Sequence, residues 1–241
     1  MTGRRAGGLL GPGICALVAF SILIGLGTWQ IERKAWKEAL IATLEKRLND
    51  APVALPPASE WAGMTADNSE FTRVRLHVEF GNAPDALVFT GGSQIRDDVK
   101  GIGYFVFSPA RLADGSLIAI DRGFAADKSY PPAAGAQDIV GYLRWPEASS
   151  WFVAAHDADG RVWTVRDPRM MAARLGWGEV APFYIDQESP VPPGGVPHPS
   201  ALTVRLRNEH LQYAITWYGL AAVLVVIFVL WAAKRRDRSA A

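Results

Sequence analysis

The residues able to hold a metal are few. The 241-residue chain carries four histidines and one cysteine. Cys15 stands alone in an apolar stretch, so no disulfide forms within the chain and no cysteine pair can hold zinc or copper. Without Cys-x-x-Cys-His, covalent c-type haem attachment is excluded. His77 falls on the polar side of an alternating strand pattern, where solvation accounts for it. His156, with Asp157, Asp159 and Gly160, could hold a cation, although turn chemistry explains the same cluster. His198, between Pro197 and Pro199, reads as an exposed linker residue.

His210 is placed differently, just before the second long apolar stretch. Asn208 is the predicted N-cap, which puts His210 in the first helical turn. The positive end of a helix dipole disfavours an imidazolium there, and a neutral imidazole is the form that ligates haem iron. Ala214 and Trp217 follow at i+4 and i+7, sharing the helix face as a small notch with an aromatic floor. Arg205 and Arg207 precede it and could pair with propionates. Trp29 and Gln30 close the first apolar stretch, Trp29 as an interfacial ring and Gln30 able to hydrogen-bond across to the second helix. The plainer reading makes His210, Tyr213 and Trp217 an interfacial belt; the spacing leaves both open and favours the belt.

Asp121-Arg122-Gly123 ends a strand and reads as a structural ion pair beside a glycine turn. Gly-x-Ser-x-Gly, a phosphate loop and His-Glu-x-x-His are all missing, so an enzyme is not expected.

The elements that would position these residues follow from charge. Lys plus Arg number 25 against 24 Asp plus Glu, so no global bias points to nucleic acid. Residues 6–31 contain no charge, nor do residues 211–233, and about 20 apolar residues suffice to cross a bilayer. Arg4, Arg5 and Gly25-Leu26-Gly27 resemble a cleaved leader, but the apolar stretch of residues 9–29 exceeds the roughly 7–15 residues of such cores. Both ends are therefore expected in the cytoplasm, with Lys234-Arg235-Arg236 as the stop signal, although Arg33, Lys34 and Lys37 oppose it. The expected order is a tail (1–8), a transmembrane helix (9–30), an extracytoplasmic domain (31–207), a second transmembrane helix (208–233) and a basic tail (234–241).

Within the middle segment, Trp36, Leu40, Leu44 and Leu48 extend the first helix as an amphipathic one until Pro52, Pro56 and Pro57. Val74, Leu76, Val78 and Phe80 alternate with polar residues, predicting a half-buried strand. Residues 87–90, 104–107, 117–120, 139–143, 162–165 and 183–185 are further short strands. Asp167-Pro168 opens a short helix that Gly176 closes. The five prolines of 190–199 read as an extended lead back to the membrane. The expected class is an α+β membrane protein whose terminal helices flank one mainly antiparallel β domain.

At three places the chain resembles the surfeit-locus protein one family of cytochrome c oxidase assembly factors. They are Gly27-Thr28-Trp29-Gln30-Ile31-Glu32-Arg33 with Lys37 four further on, Asp114-Gly115 with Ile120-Asp121-Arg122-Gly123-Phe124, and Asn208-Glu209-His210-Leu211-Gln212-Tyr213-Ala214-Ile215-Thr216-Trp217-Tyr218-Gly219-Leu220-Ala221. Phe124 stands where the family has Trp, and Val78 where its strand carries Gly. The resemblance implies an inner-membrane assembly factor for a haem-copper oxidase that binds haem a. His210 would be the iron ligand; the spacing and depth read above add Tyr213, Trp217, Arg205, Arg207, Trp29 and Gln30 as the candidate residues around it. Its implied partners are the oxidase catalytic subunit and the haem a synthesis machinery. The alternative is a membrane-anchored scaffold that steadies an assembly intermediate without touching haem.

Overall fold

The computed structural model describes residues 9–240 apart from 94, 97, 147–160 and 204–207. Its chain divides into two units, residues 1–42 with 206–241, and residues 43–205.

The first unit is a pair of antiparallel helices, the uncharged part of α1 (Leu10–Asn49) and α4 (His210–Ala240). Both are long and apolar enough to cross a membrane. Their outer faces leave Leu17, Val18 and Ile22 on α1 and Val226, Ile227 and Leu230 on α4 exposed. Small residues sit where the helices meet. Ala214 and Ala221 are buried, one and three turns beyond His210. A Cβ added to Gly27 would stand 2.6 Å from the Tyr218 ring, so only glycine admits that ring. Thr28 Oγ1 donates to the Ile24 carbonyl at 3.0 Å, which leaves Tyr218 Oη to donate to Thr28 Oγ1 at 3.2 Å.

The second unit is built on one eight-stranded sheet. Its strands are β1 (Val53–Ala54), β2 (Arg73–Phe80), β3 (Ala86–Gly92), β4 (Lys100–Arg111), β5 (Leu117–Ala125), β6 (Gly135–Arg144), β7 (Val162–Trp163) and β8 (Val180–Ser189). They lie in the order β1-β2-β6-β8-β5-β4-β3-β7. The end of β2 also pairs with β4 through Glu79↔Arg111 and Phe80↔Ala110, so β2-β6-β8-β5-β4 closes on itself. Bulges in the β4–β5, β5–β8 and β6–β8 ladders supply the bending that closure requires.

The sheet is mixed, which corrects the expectation of a mainly antiparallel domain. β1–β2, β3–β7 and β5–β8 are parallel. The β5–β8 pair forms because β6, the intervening long strand, lies on the far side of β8 and helix α3 (Pro168–Leu175) leads back into β8. Periodicity predicts which residues are strands but is blind to their neighbours.

Alternation does place the two cores. Val74, Leu76, Val78 and Phe80 face Ile118, Ile120, Ile139, Phe183 and Ile185 in the first. Phe105, Phe107, Ala119 and Tyr184 pack beneath Met171, Ala172 and Trp177 in the second. Helix α3 has the caps that its sequence predicts: Asp167 accepts from Arg169 and Met170, and Gly176 takes a left-handed φ of 71°. A single-turn helix α2 (Ala66–Ser69) is capped by Thr65 and Asn68.

The last turn of α1 belongs to this unit. Leu48 is buried with Tyr142 and Leu202, and Arg47 donates to the Glu70 and Asp67 carbonyls at 3.0 and 3.3 Å. Of the predicted amphipathic stripe, Trp36 stays half exposed beneath the Arg33 guanidinium, 3.9 Å from its ring centre. The proline-rich lead is docked. His198 exchanges both backbone hydrogen bonds with Phe124, and its carbonyl accepts from Arg96 Nη2 at 2.7 Å.

Candidate functional site

His210 is the first helical residue of α4. The turn opens one residue later than predicted: the Glu209 carbonyl accepts from Gln212 and Tyr213, and the Asn208 Oδ1 is buried without a hydrogen bond. Asn208 is therefore not the cap. The imidazole still falls in the first turn, where a helix start presents its unbonded N–H groups.

The ring is held from the other helix. His210 Nδ1 and Gln30 Oε1 are 2.7 Å apart and part-buried. Two residues before Gln30, the Thr28 hydroxyl meets Tyr218, and Gly27 accepts the same ring, so both contacts share one helix–helix register. Among the described residues Gln30 is the one hydrogen-bond partner of the His210 imidazole, and it engages Nδ1 alone.

The other predicted residues distribute unevenly around this pair. Ala214 is 1% exposed, so it belongs to the helix–helix seam and forms no open notch. Tyr213 and Trp29 are both about half exposed on the outside of the helices, and Trp217 is partly exposed. Arg205 and Arg207 lie outside the described residues, as do His156, Asp157 and Asp159. Among the described residues no group of three or more His, Cys, Asp or Glu side chains could hold a metal ion.

A cluster of buried ionisable side chains lies inside the domain, and the sequence motifs touch only its edge. Asp121 and Asp186 are directly opposite across the β5–β8 pair, both under 5% exposed. Arg96 and Arg144 flank Asp186 at 3.9 Å each, and Arg96 is also forked onto Asp98 at 3.1 and 2.7 Å. Arg144 donates to Glu70 at 3.2 Å and covers the Phe71 ring. Arg166 adds a third positive charge and stacks 4.4 Å from the centre of Phe105.

Burial pushes the Asp121 carboxyl up to about 7, and the neighbouring Asp186 charge pushes the same way. Burial also raises Asp186, against the pull of Arg144 and Arg96. Tyr184, wholly buried in the same cluster, is raised for the same reason. The expected ion pair of Asp121 with Arg122 does not form. Successive strand residues point to opposite faces, so Arg122 reaches Asp85 at 3.8 Å and the Pro131 carbonyl at 3.1 Å instead. Gly123 has φ of 107°, and a Cβ there would collide with the His198 carbonyl. The signal that could have found this cluster is a charged residue in a core register. Asp121 continues the alternation Leu117, Ala119, and Asp186 ends the run from Phe183.

Comparison with known sequences decides the family. A model of the SURF1 family matches residues 17–222, covering most of α1, the whole domain and the start of α4. The chain belongs to the SURF1 family. It is 35% identical to a SURF1-like protein of Monosiga brevicollis over 98% of this chain and 92% of that one. It is 34% identical to surfeit locus protein 1 of Homo sapiens, over 82% and 70% respectively. A SURF1-like protein of Rickettsia bellii is 27% identical over 90% and 89%. The matched span of the SURF1 model includes Gln30 and His210 as well as Asp121 and Asp186.

Proposed function

We propose that this SURF1-family chain is a membrane-anchored assembly factor for a haem-copper cytochrome c oxidase, receiving haem a at His210 and aiding its delivery to the catalytic subunit. The observation that supports this most is an imidazole held by a side chain of the opposite helix, at the end of two helices whose outer surfaces are apolar. Exposed apolar faces of that length need lipid or protein to cover them. A cofactor with a long hydrocarbon tail can be presented beside such faces without leaving the bilayer.

The residues present fit haem. His210 offers a ring nitrogen that no described residue engages, and Tyr213 and Trp29 offer exposed aromatic faces on the same helix pair. Arg205 and Arg207 would complement propionates. Bound haem would supply only itself, as cargo; the chain's own residues bind it, orient it and let it go. A single imidazole ligand would suit release better than a closed cage of ligands. No catalytic role is proposed. Both tails are assigned to the cytoplasm and the domain to the outer face of the inner membrane, on the charge of the C-terminal tail.

The test is the haem content of detergent-purified protein made in cells that synthesise haem a. A haem absorption band that His210→Ala removes is the expected result. Equal haem in both, with normal oxidase levels in cells carrying His210→Ala, would instead favour a scaffold that steadies an assembly intermediate.

A further inference from the structure

The geometry points to Gln30 as the positioning residue of the His210 site: its side-chain oxygen selects the ring tautomer that leaves the Nε2 lone pair free for a metal. This rests on the haem reading above and assigns a residue role within it.

An uncharged imidazole carries one proton, on Nδ1 or on Nε2, and only the bare nitrogen can bind a metal. The partner of one ring nitrogen therefore decides the chemistry of the other. Gln30 Oε1, at 2.7 Å from Nδ1, can only accept, so the proton belongs on Nδ1 and the Nε2 lone pair is free. Were the amide turned over, its NH2 would donate to Nδ1, the ring proton would move to Nε2, and the ligand atom would be blocked. One amide on α1 thus switches the imidazole of α4 between a competent and an incompetent state.

The helix pair fixes this alignment. Gly27 lies nearly one turn before Gln30, and Tyr218 lies two turns beyond His210. The Tyr218 ring fits against Gly27 and its hydroxyl bonds to Thr28. These contacts lock the register that sets Gln30 opposite His210. The Gln30 side chain needs no charge for this role.

The test uses the full-length, haem-free protein in detergent, labelled with 15N-histidine. Two-bond proton–nitrogen spectra identify which ring nitrogen carries hydrogen, and His210→Ala assigns the signal. The expected result is His210 protonated on Nδ1 in the wild type, the same tautomer in Gln30→Glu, which keeps an acceptor oxygen, and a shift toward Nε2–H in Gln30→Leu. Haem affinity should fall by about 10- to 100-fold in Gln30→Leu. A wild-type ring protonated on Nε2, or a tautomer unmoved by Gln30→Leu, would overturn the assignment. The tautomer is read without haem, so a failure of the haem proposal alone would leave this result standing and be recognised as such.

Discussion

At the scale of single residues, the buried carboxyls of the domain tie stability to pH. Burial and the Asp186 charge raise the Asp121 carboxyl to about 7 in the folded protein, against about 4 in an unfolded chain. Between those values the folded state binds more protons than the unfolded one, so stability falls as pH rises from about 4 to 7. Asp186, shifted in the same direction, adds to the fall. The expected outcome is that Asp121→Asn, which mimics the neutral acid, gains melting temperature relative to wild type as pH is raised from 5 to 8. Parallel curves for the two proteins would remove Asp121 from that account. Gly123 gives a second residue-scale expectation. Its positive φ and its contact with the His198 carbonyl leave no room for a methyl group. Gly123→Ala should cost roughly 2–4 kcal/mol of stability in denaturant unfolding. The Asp-Arg-Gly run was visible in the sequence, but its meaning was not. Which strand lies beside β5 decides that Asp121 meets Asp186 and not Arg122, and no local pattern carries that information.

At the scale of elements, the helix pair depends on close approach at Gly27. Gly27→Leu should force the Tyr218 ring away and break the Gln30–His210 contact, detectable as lost cross-linking between cysteines placed along the two helices. Retained cross-linking at wild-type efficiency would contradict the packing. Gln30→Leu is expected to leave the pair intact, since an interhelical hydrogen bond in a membrane contributes only about 0.6 kcal/mol. The elements themselves were largely legible. The alternation from Val74 to Phe80 is a strand, and Asp167-Pro168 through Gly176 is a capped helix, because caps and periodicities are local properties. Strand β1 was missed because two residues, Val53 and Ala54, are too few to show a period. Asn208 is a good cap of α4 by type, yet its side-chain oxygen is buried without a hydrogen bond, which no local pattern announces. The docked path of His198 was invisible for a similar reason: a proline-rich segment announces extension without naming what it pairs with.

At the scale of the whole molecule, the uncharged segments of α1 and α4 are the features that a membrane would recognise. If they span it as proposed, residue 129, on an exposed turn after β5, faces outward. In a Cys15→Ser background, Ser129→Cys should react with a membrane-impermeant maleimide in intact spheroplasts. Reaction only after permeabilisation would put the domain in the cytoplasm and reverse the orientation. The haem reading stands on one imidazole, and the most direct measurement removes that ring and then returns it. His210→Gly, purified from cells that make haem a, should lose its haem band or shift it, and added imidazole should restore the wild-type spectrum. A His210→Gly protein with unchanged haem content and spectrum would show that the iron, if bound at all, is bound elsewhere.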